Sequence, residues 1–281
     1  MPSSAQALLL AAALAVGCAH EPAPAPYPRP FRVIAHRGAS AYAPENTLPA
    51  FFRALELGAR EVELDVQLSR DDVLVLFHDK TLEGKTGRAG RVRDLTADEL
   101  REVEVGSWFD ATHPEVTARY AGTRLATLDD IFRSFGAAFY YHVEIKAPEP
   151  RIPELVLGEI AAFELRERVT ITSFEREQLD RVRALDADIP ITWILRGDSP
   201  GDIDAAARAR FDGVAVEASK LTPELVARAR ALGLEIRAHR VRDDADMEHA
   251  IRVGSNGMTT DWPDRLVRRV LEDMAGGPPL R

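Results

Sequence analysis

The chain has 281 residues, 46% of them hydrophobic and 29% charged, which is enough apolar material for a large core and excludes a compositionally disordered chain. Lys and Arg number 36 against 45 Asp and Glu, a net charge of -9 with no long block of one sign, so general phosphate attraction to nucleic acid is not expected. A single cysteine, Cys18, excludes an intramolecular disulfide framework, an all-thiolate zinc site and a CxxC redox pair.

The first element is the apolar run from Ala7 to Gly17, about as long as the core of a signal peptide and too short to span a bilayer. It ends in Leu14-Ala15-Val16-Gly17-Cys18, which resembles a bacterial lipoprotein processing box. The resemblance implies that Cys18 becomes the acylated first residue, with residues 1–18 as signal and the Pro-rich residues 19–30 as a stiff tether. It also implies a location in the bacterial cell envelope, lipid-anchored or secreted, with the anchor as the only membrane contact. An ordinary cleaved secretory signal and a buried helix behind a mis-assigned start are the other readings. All three begin the folded domain near Phe31, and we expect it to run over 31–272 with a flexible tail at 273–281.

Beyond Phe31 short β-rich runs alternate with helical patterns. The spacing predicts strands over Arg32 to His36, Glu61 to Leu68, Val73 to His78, Phe139 to Lys146, Val169 to Ser173, Ile191 to Leu195, Gly213 to Glu217, Leu234 to Val241 and Gly257 to Thr260. Leu48, Phe51, Phe52 and Leu55 keep helical spacing after an Asn46 or Thr47 cap, Thr96 and Glu99 form a capping box, Thr222-Pro223 starts a helix, and Gly254 ends one begun near Asp243. Repeated βα units argue for an α/β fold with a parallel sheet, and the number of units for a TIM (β/α)8 barrel. Nine strand candidates are one too many, and the link from Leu68 to Val73 is too short for a crossover helix. Either that pair is locally irregular or the last segment is a loop. The Gly-rich stretch 79–127, with one short helix near Thr96, reads as a small insertion over one barrel face.

Chemistry gathers at strand ends. His36 and Arg37 follow an apolar strand, and His78 ends another; in a barrel such ends face the site, although a histidine can also cap a strand for packing alone. The two-residue period sets Glu61, Glu63 and Asp65 on one strand face, and His142, Glu144 and Lys146 on one face of a later strand. Carboxylates on the first strand could face solvent at an edge; turned inward they need a cation or base. Glu63, Asp65 and Glu144 offer oxygen only, the preference of calcium or magnesium, and Lys146 is suited to meet a phosphate. Together these groups fit metal-assisted phosphodiester cleavage.

The ordered segments His36-Arg37-Gly38-Ala39, Pro44-Glu45-Asn46-Thr47, Glu63-Leu64-Asp65-Val66, Asp72-Val73 to His78-Asp79, Glu144-Ile145-Lys146, Ser173-Phe174 and Thr260-Asp261-Trp262-Pro263 resemble the motifs of the glycerophosphodiester phosphodiesterases. The similarity covers about residues 32 to 270. It implies a TIM barrel that hydrolyses a small glycerophosphodiester to sn-glycerol 3-phosphate and an alcohol. It further implies His36 and His78 as the acid/base pair, Glu63, Asp65 and Glu144 as ligands of a divalent cation, Ca2+ ahead of Mg2+, and Arg37 and Lys146 as phosphate contacts. Glu45 and Asn46 would brace the site and cap a helix. Where the family commonly has Trp-Thr-Val-Asn, this chain has His239-Arg240-Val241-Arg242, so a cleft aromatic is replaced by His239, and His142 stands where a small polar residue is common. A lysophospholipase D, a phosphatidylinositol phospholipase C-like enzyme and a non-catalytic ligand-binding lipoprotein are the competing readings.

Overall fold

The computed structural model describes residues 31–274. The expected signal, Cys18, the tether and the tail beyond Met274 lie outside the described residues. Strand β1 (Arg32–Ala35), helix α1 (Leu48–Glu56), β2 (Glu61–Leu68) and β3 (Leu74–Leu76) lead into the short helices α2 (Glu83–Thr86), α3 (Ala97–Arg101) and α4 (Gly106–Thr112). The chain returns to the sheet through α5 (Leu128–Phe135) and then alternates: β4 (Tyr140–Ile145), α6 (Ile152–Ala162), β5 (Val169–Ser173), α7 (Arg176–Leu185), β6 (Ile191–Ile194) and α8 (Pro200–Arg208). It continues through β7 (Gly213–Glu217), α9 (Pro223–Ala231), β8 (Glu235–His239), α10 (Asp244–Arg252), β9 (Gly257–Thr260) and α11 (Pro263–Met274).

All ladders are parallel except β2 with β3, and β1 pairs with both β2 and β9, so β3 is an appendix and the other strands close into an eight-stranded TIM barrel. The surplus strand, β3, is therefore a hairpin partner of β2. Its turn is held by Ser69, whose Oγ accepts from the Val73 amide at 2.8 Å, with Asp72 in the left-handed region at φ 63°. The last segment is a true strand in register with β1, Arg32 opposite Gly257, and a Cβ at Gly257 would lie 2.5 Å from the Arg32 carbonyl.

Several predicted strands are too long by one to three residues, and the structure leaves His36, His78 and Lys146 just past the ends of β1, β3 and β4. Strand period explains the division of side chains. Val33, Val62, Leu64, Val66, Val143, Ile171 and Ile236 pack outward against the helices in the main apolar cluster. The alternate positions turn inward, where Glu61, Glu63, Asp65, His142, Glu144, Thr170, Thr172 and Arg237 are buried. An edge-strand, solvent-facing placement of the β2 carboxylates is thus overturned.

Residues 79–127 hold three α-helices and a 3-10 turn over Val92–Asp94, where the sequence predicts one helix. They enclose a second apolar cluster with β3, built on Val75, Phe77, Leu82, Val92 and Leu100. The Thr96–Glu99 capping box forms as expected, and so do the caps at Thr222 and Gly254. Thr47 caps α1 in backbone only; its hydroxyl donates instead to the Pro44 carbonyl at 2.5 Å.

Candidate active site

Register assembles the acidic group. Glu63 and Asp65 are two apart on β2 and share a face, and Asp65 lies opposite Glu144 on β4. One oxygen from each of Glu63, Asp65 and Glu144 lies within 4.8 Å of the others, and all three residues are buried. Burial, with the Asp65 charge added, pushes the Glu63 carboxyl up to about 8. The same two causes raise Glu144. Asp65 is pushed the other way: burial works to raise it, but Arg37, Lys146 and a hydrogen bond from Asn46 outweigh that and hold it ionised.

Glu63 Oε1 and Asp65 Oδ1 are buried without a hydrogen-bond partner. Unmet carboxylate oxygens in a dry, like-charged, oxygen-only cluster are the chemistry a hard divalent cation satisfies, so these residues fit such an ion.

Around the triad stand the cations. The turn after β1 sets Arg37 at φ 54° and Gly38 at φ 83°, and a Cβ at Gly38 would lie 2.7 Å from the Ala50 backbone, so only glycine lets this turn press on α1. In that conformation the Arg37 amide donates to Glu63 Oε2 at 3.0 Å while its guanidinium faces Asp65 at 3.1 Å and donates to Glu45 at 2.9 Å. Asn46, also left-handed at φ 59°, clasps Asp65 from both sides, Nδ2 donating to Oδ2 at 2.8 Å and Oδ1 accepting the Asp65 amide at 3.1 Å. Lys146 Nζ donates to Glu144 at 2.8 Å and lies 3.7 Å from Asp65.

The two histidines are each tied to a carboxylate through Nδ1. His36 Nδ1 is 2.6 Å from Asp261 Oδ1, and His78 Nδ1 is 2.8 Å from Asp79 Oδ1. Donation from Nδ1 leaves Nε2 as the working nitrogen in both rings. For His36, burial and Arg37 favour the neutral ring, but Asp261 and Glu63 prevail and raise its pKa. Burial, with Arg37 and Lys146, lowers that of His78 in spite of Asp65 and Asp79.

A cavity of about 670 Å³ opens at this end of the barrel, lined by His36, Arg37, Glu63, His78, Glu144 and Lys146 on one side. All seven residues singled out in the sequence thus meet at one site: six line the cavity and Asp65 lies beneath it. His142 does not reach it; it lies one layer below, Nε2 on Glu61 at 2.9 Å and Nδ1 accepting from Arg237 at 2.6 Å. His239 does line the cavity.

Four residues received no role from the sequence. Asp261 and Asp79 sat inside quoted segments, one residue past a strand end or a histidine, and that adjacency was their signal. Lys85, in the 79–127 stretch, bridges Glu45 at 2.6 Å and Asp79 at 3.1 Å and lies 5.2 Å from the Trp108 ring centre, a long-range contact with no local signal. Arg237 reaches across the barrel to His142, which only the closed cylinder makes possible.

Residues 36–265 match the Glycerophosphoryl diester phosphodiesterase family. A glycerophosphodiester phosphodiesterase of Bacillus subtilis is 31% identical over 82% of this chain and 83% of its own. One from Caldanaerobacter subterraneus is 34% identical over 85% of this chain and 97% of its own. Among solved structures, a putative glycerophosphoryl diester phosphodiesterase from Silicibacter pomeroyi superposes with a TM-score of 0.78 at 26% identity, covering 89% of this chain and 96% of that one. An Oleispira antarctica phosphodiesterase in complex with the product sn-glycerol-3-phosphate shares the fold, with a TM-score of 0.74 at 23% identity over 88% of this chain and 97% of that one.

Proposed function

The chain belongs to the glycerophosphoryl diester phosphodiesterase family, and from that membership we propose that it hydrolyses glycerophosphodiesters to sn-glycerol 3-phosphate and an alcohol, with His36 and His78 as the proton-transfer pair. One observation carries this reading: two carboxylate-anchored imidazoles flank a buried acidic triad with two unmet carboxylate oxygens.

A divalent cation held by Glu63, Asp65 and Glu144, Ca2+ or Mg2+ by the hardness of the donors, supplies charge neutralisation at the phosphodiester. Lys146 meets a non-bridging phosphate oxygen as a point charge, and Arg37 holds Asp65 ionised while adding positive field. The pKa values of the histidines are pushed apart, His36 upward and His78 downward. That separation suits a donor and an acceptor, so His78 takes the proton from the attacking hydroxyl at Nε2 and His36 delivers one to the departing alkoxide. Asp261 and Asp79 hold the two rings in the tautomer that makes this work.

The attacking hydroxyl is assigned to the glycerol 2-position. It forms a cyclic phosphate as the alcohol leaves, and water then opens the ring to sn-glycerol 3-phosphate. A neighbouring hydroxyl gains the effective molarity of an intramolecular nucleophile. The test follows 31P resonances during hydrolysis of a glycerophosphodiester and of its 2-deoxy analogue. The expected result is sn-glycerol 3-phosphate from the first and turnover at least about a hundredfold slower from the second, within the range of losing an acid/base or nucleophilic group. Near-normal hydrolysis of the deoxy compound would eliminate the cyclic route, and absence of sn-glycerol 3-phosphate the reading itself.

A further inference from the structure

Across the cavity from the acidic triad, the wall is made by the ends of β7 and β8 and the turn that follows, with Glu217, Arg237, His239, Arg240 and Arg242 lining it. We propose that this wall is a head-group subsite that accepts a polyol alcohol, of the glycerol or inositol kind, and disfavours a cationic one such as choline. The proposal rests on the diester-hydrolase reading above and names the substrate class within it.

Burial, aided by Arg240 and Arg237 and opposed by the Leu195 carbonyl, pushes the His239 pKa down to about 4, so the ring is neutral. Its Nε2 is enclosed without a partner, so the ring brings neither charge nor an open polar atom at Nε2 to the cavity. Arg237 is 5% exposed, and its Nε–H is likewise buried without a partner while Nη1 is engaged by His142 at 2.6 Å. The groups open to a head group are instead the guanidiniums of Arg240 and Arg242, 69% and 63% exposed, with the Glu217 carboxylate 3.7 Å from Arg240. These donors and this acceptor suit hydroxyls, each of which can both give and take a hydrogen bond, whereas a trimethylammonium does neither.

A quaternary ammonium is held by open aromatic rings. Phe174, edge-on to His239 at 5.7 Å, already has the Arg196 guanidinium 5.1 Å and Lys146 Nζ 5.5 Å from its ring centre. Trp262 likewise carries Arg265 at 5.3 Å. Both of these cavity aromatics are therefore occupied by cations of the chain itself.

Charge points the same way. Outside the triad the lining carboxylates are Glu217 and Asp261. Glu217 is 3.2 Å from Lys220 and 3.7 Å from Arg240, and Asp261 is engaged by His36 and Ser40. Neither has negative charge to spare for a substrate cation, and Arg240, 69% exposed at the rim, repels one.

The test compares kcat/KM for glycerophosphoglycerol and glycerophosphocholine on the Mg2+-supplemented protein, with calorimetric binding of both diesters to His78→Ala as a second readout. The glycerol diester is expected to be preferred at least about tenfold, the scale of discrimination that one unmet polar contact gives. His239→Trp, which adds an aromatic face beside Phe174, should shrink or reverse that ratio. Arg240→Glu, at an exposed position that does not threaten folding, should shift it toward choline by about two- to fivefold. Equal or faster turnover of the choline diester by the wild type would overturn this proposal and leave the hydrolase reading standing. A ratio unmoved in both variants would also overturn it. Turnover of neither diester would overturn the hydrolase reading and this proposal with it.

Discussion

At Glu63 burial and the neighbouring Asp65 charge oppose ionisation, so the fold tolerates this carboxylate poorly unless a cation offsets its charge. Glu63→Gln should therefore lower Ca2+ or Mg2+ affinity at least about a hundredfold, beyond the effect of outer contacts, while leaving the cation-free protein as stable as the wild type or more so. Calorimetric titration and urea unfolding on the same preparations check both halves, and unchanged affinity would contradict the ligand assignment. Asp261 acts through His36 rather than on substrate. Asp261→Asn should lower kcat by about 10² to 10⁴ and, because the Asp261 contacts raise the His36 pKa, move the His36 limb of the pH–rate profile to lower pH. A loss of kcat with the profile unmoved would make Asp261 merely structural. The triad, both histidines, Arg37 and Lys146 were legible in the sequence because strand period and strand ends are local signals. Arg237 and Lys85 were not, since their partners His142 and Glu45 are 95 and 40 residues away.

The turn between β1 and α1 holds the site by shape. Gly38→Ala would drive a Cβ to 2.7 Å from the Ala50 backbone at a positive φ. It should destabilise the fold by about 1–3 kcal/mol and depress kcat by displacing Arg37, and a neutral outcome in both would remove that turn from the account. The packing of α6 near α5 carries a pH dependence of its own. Burial, with Asp129 and Asp130 adding like charge, pushes Glu159 up to about 7, and its Oε2 is buried without a partner. A carboxyl raised in the folded state stabilises fully below its unfolded pKa, near 4.5, and that contribution is lost as pH rises through about 7. Glu159→Gln should accordingly raise Tm at pH 8 and leave it little changed at pH 5; an equal shift at both would rule out the titration. Outside 79–127, elements were readable except at their ends and in the extra strand. Periodicity marks where a strand is but not its pairing, so the short Leu68–Val73 link left open whether that pair or the last segment was the exception, and the antiparallel ladder of β3 to β2 decides it. The residues shed from the predicted strand ends, His36, His78 and Lys146, begin the loops where a barrel keeps its chemistry.

Across the whole molecule a polar barrel interior is held together from below by Arg32, Glu61, His142 and Arg237, and from outside by an apolar shell of helices. The barrel was legible because every βα unit repeats the same apolar outward pattern; the internal helices of 79–127 were not, because they are short and rest on a cluster shared with β3. Among the described residues no helix is long and apolar enough to cross a membrane. Attachment is proposed to come from acylated Cys18, so wild-type protein expressed in a bacterial envelope should partition into detergent and Cys18→Ser should not; unmodified wild type recovered as soluble protein would contradict it. We propose that the acidic triad and the two histidines together make one metal-dependent diesterase site. Its most direct test is turnover of a glycerophosphodiester by protein stripped with excess chelator and then titrated with Ca2+ or Mg2+. Activity is expected to vanish on stripping and to return with the cation in the wild type but not in Glu63→Gln, whereas full turnover in chelator with the absence of metal verified would rule out a metal-dependent site.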